Sequence, residues 1–216
     1  MKHDTVNYYR ARAAEYEQIY YREVPERRKE LADEVVRLRE LASGMNILEL
    51  ACGTGYWTQV MSETARRITG IDISSEMLVH AKKKPMSCPV DFVDADMFTH
   101  AWAPRSFDLI ALGFWFSHQP RQEYDKLFDL LDLCLSENGL IWMIENNPPA
   151  EGAGQHSTGT DEFGNNYKQR FLDNGERYVI LKNYFSENEL LSLFSLRYQV
   201  RRIVYGTYYW SVQLVR

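Results

Sequence analysis

The stretch ILELACGTG at residues 47–55 decides the fold of this chain. Its first half is an apolar run typical of a buried strand, and its second half is a turn made of small residues. Downstream, GIDIS at residues 70–74 indicates a second strand whose tip carries the carboxylate of Asp72. Small residues let the backbone approach a ligand closely, and a carboxylate in that position can accept hydrogen bonds from ribose hydroxyls. The two stretches together predict a site for an adenosine-like molecule.

Strands and helices alternate from Met45 onward. We predict strands at 45–50, 67–71, 90–93, 107–113, 139–145, 178–182 and 203–215, and helices at 58–65, 75–84 and 124–135. A further helix begins at the Ser186 capping box, and an amphipathic helix around Leu31 and Leu38 precedes the first strand. This alternation is typical of an α/β fold with a doubly wound, mostly parallel sheet. The segment 147–176 is rich in Gly, Pro and Asn, and we expect it to be irregular.

Composition restricts the class of protein. The 216 residues carry a net charge of -5, which argues against a large nucleic-acid surface. The longest apolar run, 109–116, is far shorter than the roughly 20 residues that cross a bilayer. The three cysteines, Cys52, Cys88 and Cys134, lack metal-ligand spacing. We therefore expect one cytoplasmic domain that binds no metal, membrane or nucleic acid.

The glycine turn differs from a nicotinamide or flavin site. Counted from Gly53, the third glycine of such a site would fall at Thr58. The acidic Glu49 precedes the turn, and a carboxylate there disfavours a pyrophosphate and favours a cationic ligand. A nicotinamide-dependent oxidoreductase is therefore the weaker alternative.

Five segments carry a family resemblance. Residues 49–55 resemble the first motif of class I S-adenosylmethionine-dependent methyltransferases, with Ala51 where glycine is commoner. Segments at 72–78, 94–97, 107–110 and 137–140 resemble the later motifs of that family, in the same order. The resemblance covers residues 45–145 firmly. It implies a Rossmann-like, seven-stranded sheet with an antiparallel C-terminal strand, S-adenosylmethionine as the cofactor, and methyl transfer as the reaction.

The resemblance also implies a set of cofactor-binding residues: Tyr9, Arg12, Glu49, Ala51, Gly53, Gly55, Asp72, Ile73, Met77, Asp96, Met97 and Gly113. Backbone at Ala51, Gly53 and Gly55 would pass under the methionyl group. Asp72 would bind the ribose, and Asp96, in preference to Asp94, would accept from the adenine amino group.

The remaining expectations concern the acceptor. His118 follows the fourth strand and is a candidate general base near physiological pH, although it could equally only pack in the cleft wall. Trp115, Tyr167 and Arg170 are candidate acceptor contacts. The resemblance suggests a lid at residues 1–43, in which Tyr9 covers the sulfonium and Arg12 reaches the cofactor carboxylate. A core at 44–146, a substrate cap at 147–176 and C-terminal elements at 177–216 complete the predicted organisation.

These features predict methyl transfer to an oxygen, nitrogen or sulfur atom of a small molecule. A non-catalytic S-adenosylmethionine-binding protein remains an alternative, and a tRNA or protein methyltransferase is a weaker one. The sequence leaves open the acceptor, the atom methylated and the oligomeric state.

Overall fold

The large sheet has seven strands in the order β3-β2-β1-β4-β5-β10-β9. The computed structural model describes residues 2–13, 16–17, 24–149 and 157–216. The strands are β1 (Asn46–Leu50), β2 (Arg67–Asp72), β3 (Val90–Asp94), β4 (Phe107–Gly113), β5 (Leu135–Asn146), β9 (Gln199–Tyr205) and β10 (Tyr209–Val215). Strands β1 to β5 are parallel, and β10 is antiparallel to both β5 and β9. The predicted fold class is confirmed.

The helices are α1 (Lys2–Ala11), α2 (Pro25–Ala42), α3 (Tyr56–Ser62), α4 (Ser75–Ala81), α5 (Tyr124–Cys134) and α6 (Glu187–Phe194). Local sequence explains where two of them begin. The Ser74 hydroxyl accepts a hydrogen bond from the Met77 amide and caps α4. Ser186 and Glu189 form the predicted capping box of α6.

Apolar side chains cover both faces of the large sheet. Successive strand residues point to opposite faces, so Ile47 and Leu48 belong to two separate buried clusters. One cluster contains Trp57 of α3, and the other contains Leu127 of α5. Because helices pack on both faces, β1 and β4 are almost wholly buried. A sheet of this kind leaves the carboxyl ends of its strands available for a ligand.

A second, three-stranded antiparallel sheet corrects the prediction for 147–176. Strands β6 (Ser157–Thr160), β7 (Asn166–Phe171) and β8 (Arg177–Leu181) form it in the order β6-β7-β8. Residues 150–156 of the predicted irregular segment lie outside the described residues. Gly164, one of the residues that indicated irregularity, lies in the turn between β6 and β7 with a φ of 79°. Short polar strands on a small sheet give little apolar signal, so sequence periodicity missed β6 and β7.

The single C-terminal strand predicted at 203–215 is also wrong. It is a hairpin of β9 and β10, turned at Gly206, whose amide donates to the Tyr209 carbonyl at 2.8 Å. The N-terminal helix α1 buries Tyr8, which is 2% exposed. Its ring packs 5.7 Å from that of Tyr178 on β8, so α1 is anchored to the small sheet.

Candidate functional site

A cavity of about 630 Å³ opens at the carboxyl ends of the parallel strands. That volume suits a drug-sized ligand. Predicted site residues that line it are Tyr9, Ala51, Gly53, Asp72, Ile73, Met77, Asp96, Met97, Gly113, Trp115, His118 and Tyr167. Helix α1, the large sheet and the small sheet each contribute part of the wall. Residues that are distant in sequence are therefore brought to one site.

The turn after β1 forms the floor of the cavity. Ala51 and Gly53 both have left-handed backbone, with φ of 53° and 56°. A Cβ at Gly53 would meet nothing within 4 Å, so the space above this residue is open to a ligand. Left-handed backbone is unfavourable for alanine and is held at Ala51 by the surrounding structure.

Gly55 does not line the cavity, contrary to the prediction. Its φ is 77°, and a Cβ there would lie 3.0 Å from the Cβ of Ala81. The glycine is therefore required for the close packing of α3 against α4. Gly113 does line the cavity, and a Cβ on it would collide with the ring of Trp57.

The Asp72 carboxylate is held by two backbone amides. Oδ2 accepts from Gly53 N and Oδ1 accepts from Ser74 N, each at 2.8 Å. Burial raises the pKa of Asp72, while these two hydrogen bonds oppose the rise. A carboxylate has about four acceptor positions, so it can take two further hydrogen bonds from a ligand in the cavity.

Glu49, a predicted cofactor-binding residue, lies behind the floor and does not line the cavity. It is 2% exposed, and the hydroxyl of Thr58 donates to its Oε2. Burial raises the pKa of Glu49 to about 8. Thr58 stands where a dinucleotide site has its third glycine. Its hydroxyl instead forms a hydrogen bond with Glu49.

The buried Glu49 carboxyl should make stability depend on pH. In the unfolded chain a Glu ionises near pH 4.3, whereas the folded chain keeps this proton up to about pH 8. The contribution is fully present below the unfolded pKa and is lost as the pH rises through the folded pKa. Urea unfolding should therefore show a smaller loss of stability between about pH 5 and pH 8 in Glu49→Gln than in the wild type. Glu137→Gln, at an exposed position, is the control, and equal pH dependence in Glu49→Gln and the wild type would contradict the assignment.

His118 is part of a hydrogen-bonded pair with Tyr9. Its Nδ1 lies 2.5 Å from the Leu181 carbonyl, so Nδ1 carries the proton and Nε2 accepts from the Tyr9 hydroxyl at 2.7 Å. Burial, assisted by the charge of Lys182, lowers the pKa of His118 to about 3. The imidazole is therefore neutral at physiological pH, and the lone pair of Nε2 accepts the hydrogen bond from Tyr9. This corrects the prediction of a general base that titrates near neutrality.

Two predicted arginines lie outside the cavity wall. Arg12 Nη1 donates to the Tyr8 hydroxyl at 2.8 Å and does not reach the site. Arg170 is on β7 but is not part of the lining either. Its neighbour on the same strand, Tyr167, lines the cavity and donates to Asp161 Oδ2 at 2.8 Å.

The charged lining of the cavity is acidic. Within the described parts of the chain it contains no Lys or Arg, and its carboxylates are Asp72, Asp96, Glu123, Asp161 and Glu162. Such a cavity favours a cationic ligand. No group of three or more His, Cys, Asp or Glu residues that could hold a metal ion occurs among the described residues. Nor does that part of the chain contain a helix long and apolar enough to cross a membrane.

Sequence reasoning missed a buried polar cluster beside the site. Lys182 Nζ lies 2.9 Å from Glu145 Oε2 and donates to Ser117 Oγ at 2.6 Å. The Ser117 hydroxyl in turn donates to Glu145 Oε1 at 2.8 Å. Lys182 follows β8 and Glu145 belongs to β5, so the cluster joins the small sheet to the large one. The one signal in the sequence was a Glu in the apolar run at 140–145, but nothing there identified its partner.

Comparison with known proteins agrees with this architecture. Residues 47–139 match the model of a methyltransferase domain family. This match agrees with the resemblance of residues 45–145 to the class I S-adenosylmethionine-dependent methyltransferases. The methyltransferase domain thus contains the glycine turn, Asp72, Asp96 and the whole of β4.

Curated relatives match about half of this chain. The demethylmenaquinone methyltransferase of Staphylococcus aureus (strain MRSA252) is 31% identical over 110 residues, which cover 49% of this chain and 45% of the relative. The protein of the same name from Lactococcus lactis subsp. lactis (strain IL1403) is 28% identical over 113 residues, covering 50% of this chain and 44% of the relative. The matches therefore span slightly less than half the length of these relatives.

Solved structures match the methyltransferase domain together with the elements around it. A structure of the DhpI–SAH complex has a TM-score of 0.78 at 25% identity and covers 99% of this chain and 96% of that chain. An S-adenosylmethionine-dependent methyltransferase from Clostridium acetobutylicum ATCC 824 has a TM-score of 0.65 at 17% identity, covering 96% and 98%. The likeness to the Clostridium protein shows the fold alone.

Proposed function

We propose that this protein transfers a methyl group from S-adenosylmethionine to a small-molecule acceptor. The observation that carries the proposal is the Asp72 carboxylate, held by Gly53 N and Ser74 N at the edge of an acidic cavity. Its two remaining acceptor positions suit the ribose hydroxyls, and the acidic lining suits a sulfonium. The similar DhpI structure, a complex with SAH, supports the same assignment.

The other lining residues fit the adenosyl group. Ile73 and Met77 offer apolar contact to an adenine ring at the end next to Asp72. Asp96 Oδ1 accepts from Phe98 N at 2.9 Å, which leaves Oδ2 for an adenine amino group. Asp94 is exposed and does not line the cavity, and this favours Asp96 for that role.

The residues of this chain would align the acceptor with the methyl group and exclude water from the site. S-adenosylmethionine supplies a methyl group on a positively charged sulfur, which leaves as a neutral thioether. The rings of Tyr9 and Tyr16, 5.7 Å apart, form part of the wall and would stabilise positive charge there. Holding the acceptor in line with the methyl group contributes most of the rate in such a transfer.

Helix α1 supports the proposal of an N-terminal lid within residues 1–43. Thr5, Val6 and Tyr9 of this helix line the cavity. The Leu181 amide donates to the Thr5 hydroxyl at 3.3 Å, and Arg10 donates to the Ile73 carbonyl at 3.3 Å. The helix therefore bridges the small sheet and the turn after β2, directly over the site.

A small acceptor is favoured over a macromolecule because the cavity is walled by α1 on one side and by the small sheet on another. The named activity of the curated relatives, demethylmenaquinone methylation, also concerns a small molecule. The alternative of a nicotinamide-dependent enzyme is disfavoured by Thr58, which occupies the place of the third glycine and binds Glu49.

The proposed activity is tested by incubating the protein with S-adenosylmethionine and candidate acceptors, followed by mass spectrometry. We expect S-adenosylhomocysteine and a singly methylated product to appear in equal amounts. Tight binding of the cofactor without turnover on any acceptor would instead support a non-catalytic S-adenosylmethionine-binding protein.

His118 should act by holding the Tyr9 hydroxyl and not as a base. His118→Ala should slow methyl transfer by about tenfold or more, since it removes the acceptor of a buried hydroxyl. Because the wild-type imidazole does not titrate near neutrality, the ratio of the two rates should be the same at pH 6 and pH 8. Affinity for S-adenosylhomocysteine should change by less than about threefold. A ratio that follows a titration near pH 6.5 would show that His118 is a base.

A further inference from the structure

Three cations gather around Tyr184, behind the cavity wall. Lys168 Nζ lies 4.6 Å from the centre of the Tyr184 ring, and Lys182 Nζ lies 6.0 Å from it. Arg170 is hydrogen-bonded to the same tyrosine. Lys168 and Lys182 are only 7% and 5% exposed. Buried lysines are rare in proteins unless an opposite charge accompanies them.

In the part of the chain that the structure describes, the cluster contains more cations than carboxylates. Glu145 forms an ion pair with Lys182 and hydrogen bonds with Ser117. Among the described residues, neither Lys168 nor Arg170 forms an ion pair with a carboxylate. Burial and the positive charges of Arg170 and Lys182 lower the pKa of Lys168 to about 8. Within the described ranges, the cluster thus carries more positive than negative charge, and its two lysines are shielded from water.

The cluster is next to the pair formed by Tyr9 and His118. The positive charge of Arg170 acts on both members of that pair, and the charge of Lys182 acts on His118. The cations therefore lie behind the cavity wall, on the side that holds Tyr9 and His118.

We infer that the acceptor carries an oxyanion, which the positive charge of Lys168 and Arg170, behind the cavity wall, holds beside the Tyr9–His118 pair. This inference rests on the proposed function and names the chemical class of its substrate: a phosphate-like group or a carboxylate. An oxygen of that group is the nucleophile. The cations attract this anion from behind the wall.

With an oxyanion as the acceptor, methyl transfer needs no general base. The acceptor oxygen forms a bond to the methyl carbon as the carbon–sulfur bond breaks, and the bonding electron pair stays on sulfur. The acceptor loses its negative charge and becomes an ester, and no proton is released. The engaged lone pair of His118 is then no obstacle, because nothing has to be deprotonated.

Three of the five described carboxylates in the cavity wall have roles that do not involve the acceptor. Asp161 is used within its own turn, where it accepts from Phe163 N, from Asn165 and from the Tyr167 hydroxyl. Asp72 and Asp96 are assigned to the adenosyl group. The charge of the cluster behind Tyr9 is positive, and it favours an anionic acceptor there.

The test titrates inorganic phosphate and, separately, acetate into the protein saturated with S-adenosylhomocysteine. Changes in the NMR chemical shifts of the protein, at constant ionic strength, measure the affinity for each anion. We expect at least one anion to bind, with tighter phosphate binding indicating a phosphate-like acceptor and tighter acetate binding a carboxylate. Lys168→Met should weaken that binding at least tenfold, whereas Lys168→Arg, which keeps the charge, should stay within about threefold of the wild type. Lys83→Met, at an exposed site, is the matched control and should bind like the wild type.

Two results would overturn the inference: neither anion binds to the protein saturated with S-adenosylhomocysteine, or Lys168→Met binds the anions as the wild type does. Binding of S-adenosylhomocysteine in the same samples shows that each variant is folded. If the wild type failed to bind S-adenosylhomocysteine, the proposed function would fail first, so the two failures are distinguishable.

Discussion

Replacing Lys182 with methionine should lower the free energy of unfolding by about 3–5 kcal/mol. Lys182 and Glu145 form an ion pair in which the side chains are 7% and 0% exposed, and removal of the lysine leaves the Glu145 carboxylate buried without its counter-charge. The ion pair also ties the small sheet to β5, so docking of that sheet should weaken together with global stability. Urea unfolding, monitored by tryptophan fluorescence, measures the change.

Two further variants separate this effect from a general loss of packing. Arg67→Met removes an ion pair with Asp91 in which both side chains are more than half exposed, and it should lower stability far less than Lys182→Met does. The double variant Lys182→Met/Glu145→Gln should be more stable than Lys182→Met alone, because no buried charge is left unpaired. A Lys182→Met protein as stable as Arg67→Met would contradict the account.

Asp72→Ala should weaken the binding of S-adenosylmethionine by about 1–3 kcal/mol, which is about 5- to 150-fold. The substitution removes the acceptor of the ribose hydroxyls and releases the amides of Gly53 and Ser74 that position it. Titration calorimetry on the wild type and the variant measures the difference.

Asp94→Ala is the matched control for that experiment. Asp94 pairs with Asp72 across β2 and β3 and ends the neighbouring strand, but it is exposed and lies outside the cavity. Its substitution should leave affinity within about twofold of the wild type. If Asp94→Ala weakened binding as much as Asp72→Ala does, the assignment of the ribose site would be wrong.

The parts of the site that could be predicted from sequence are local ones. The turn at Ala51 and Gly53 and the carboxylate of Asp72 follow directly from strand ends, and parallel strands place such ends together. The order of the motifs then placed Asp96 and Met97 at the same edge. No long-range contact had to be known for these residues.

Errors arose where a partner distant in the chain decides the role. Gly55 packs against Ala81 of another helix, and Arg12 donates a hydrogen bond to the Tyr8 hydroxyl. His118 has the position expected of a base, but Tyr9 and the Leu181 carbonyl occupy both of its nitrogens. A sequence does not state such pairings, because they depend on how α1 and the small sheet dock on the strand ends.

The cation cluster was missed for the same reason. Arg170 was predicted as an acceptor contact from its place in the segment 147–176, but Lys168 and Lys182 resemble ordinary surface lysines in the sequence. Their burial follows from the pairing of β7 with β8, and periodicity did not predict β7.

Titration calorimetry of the wild-type protein with S-adenosylmethionine and, separately, with NAD⁺ tests the central claim most directly. The account predicts saturable binding of S-adenosylmethionine at one site per chain and no binding of NAD⁺ over the same concentration range. Binding of NAD⁺ in place of S-adenosylmethionine would contradict it.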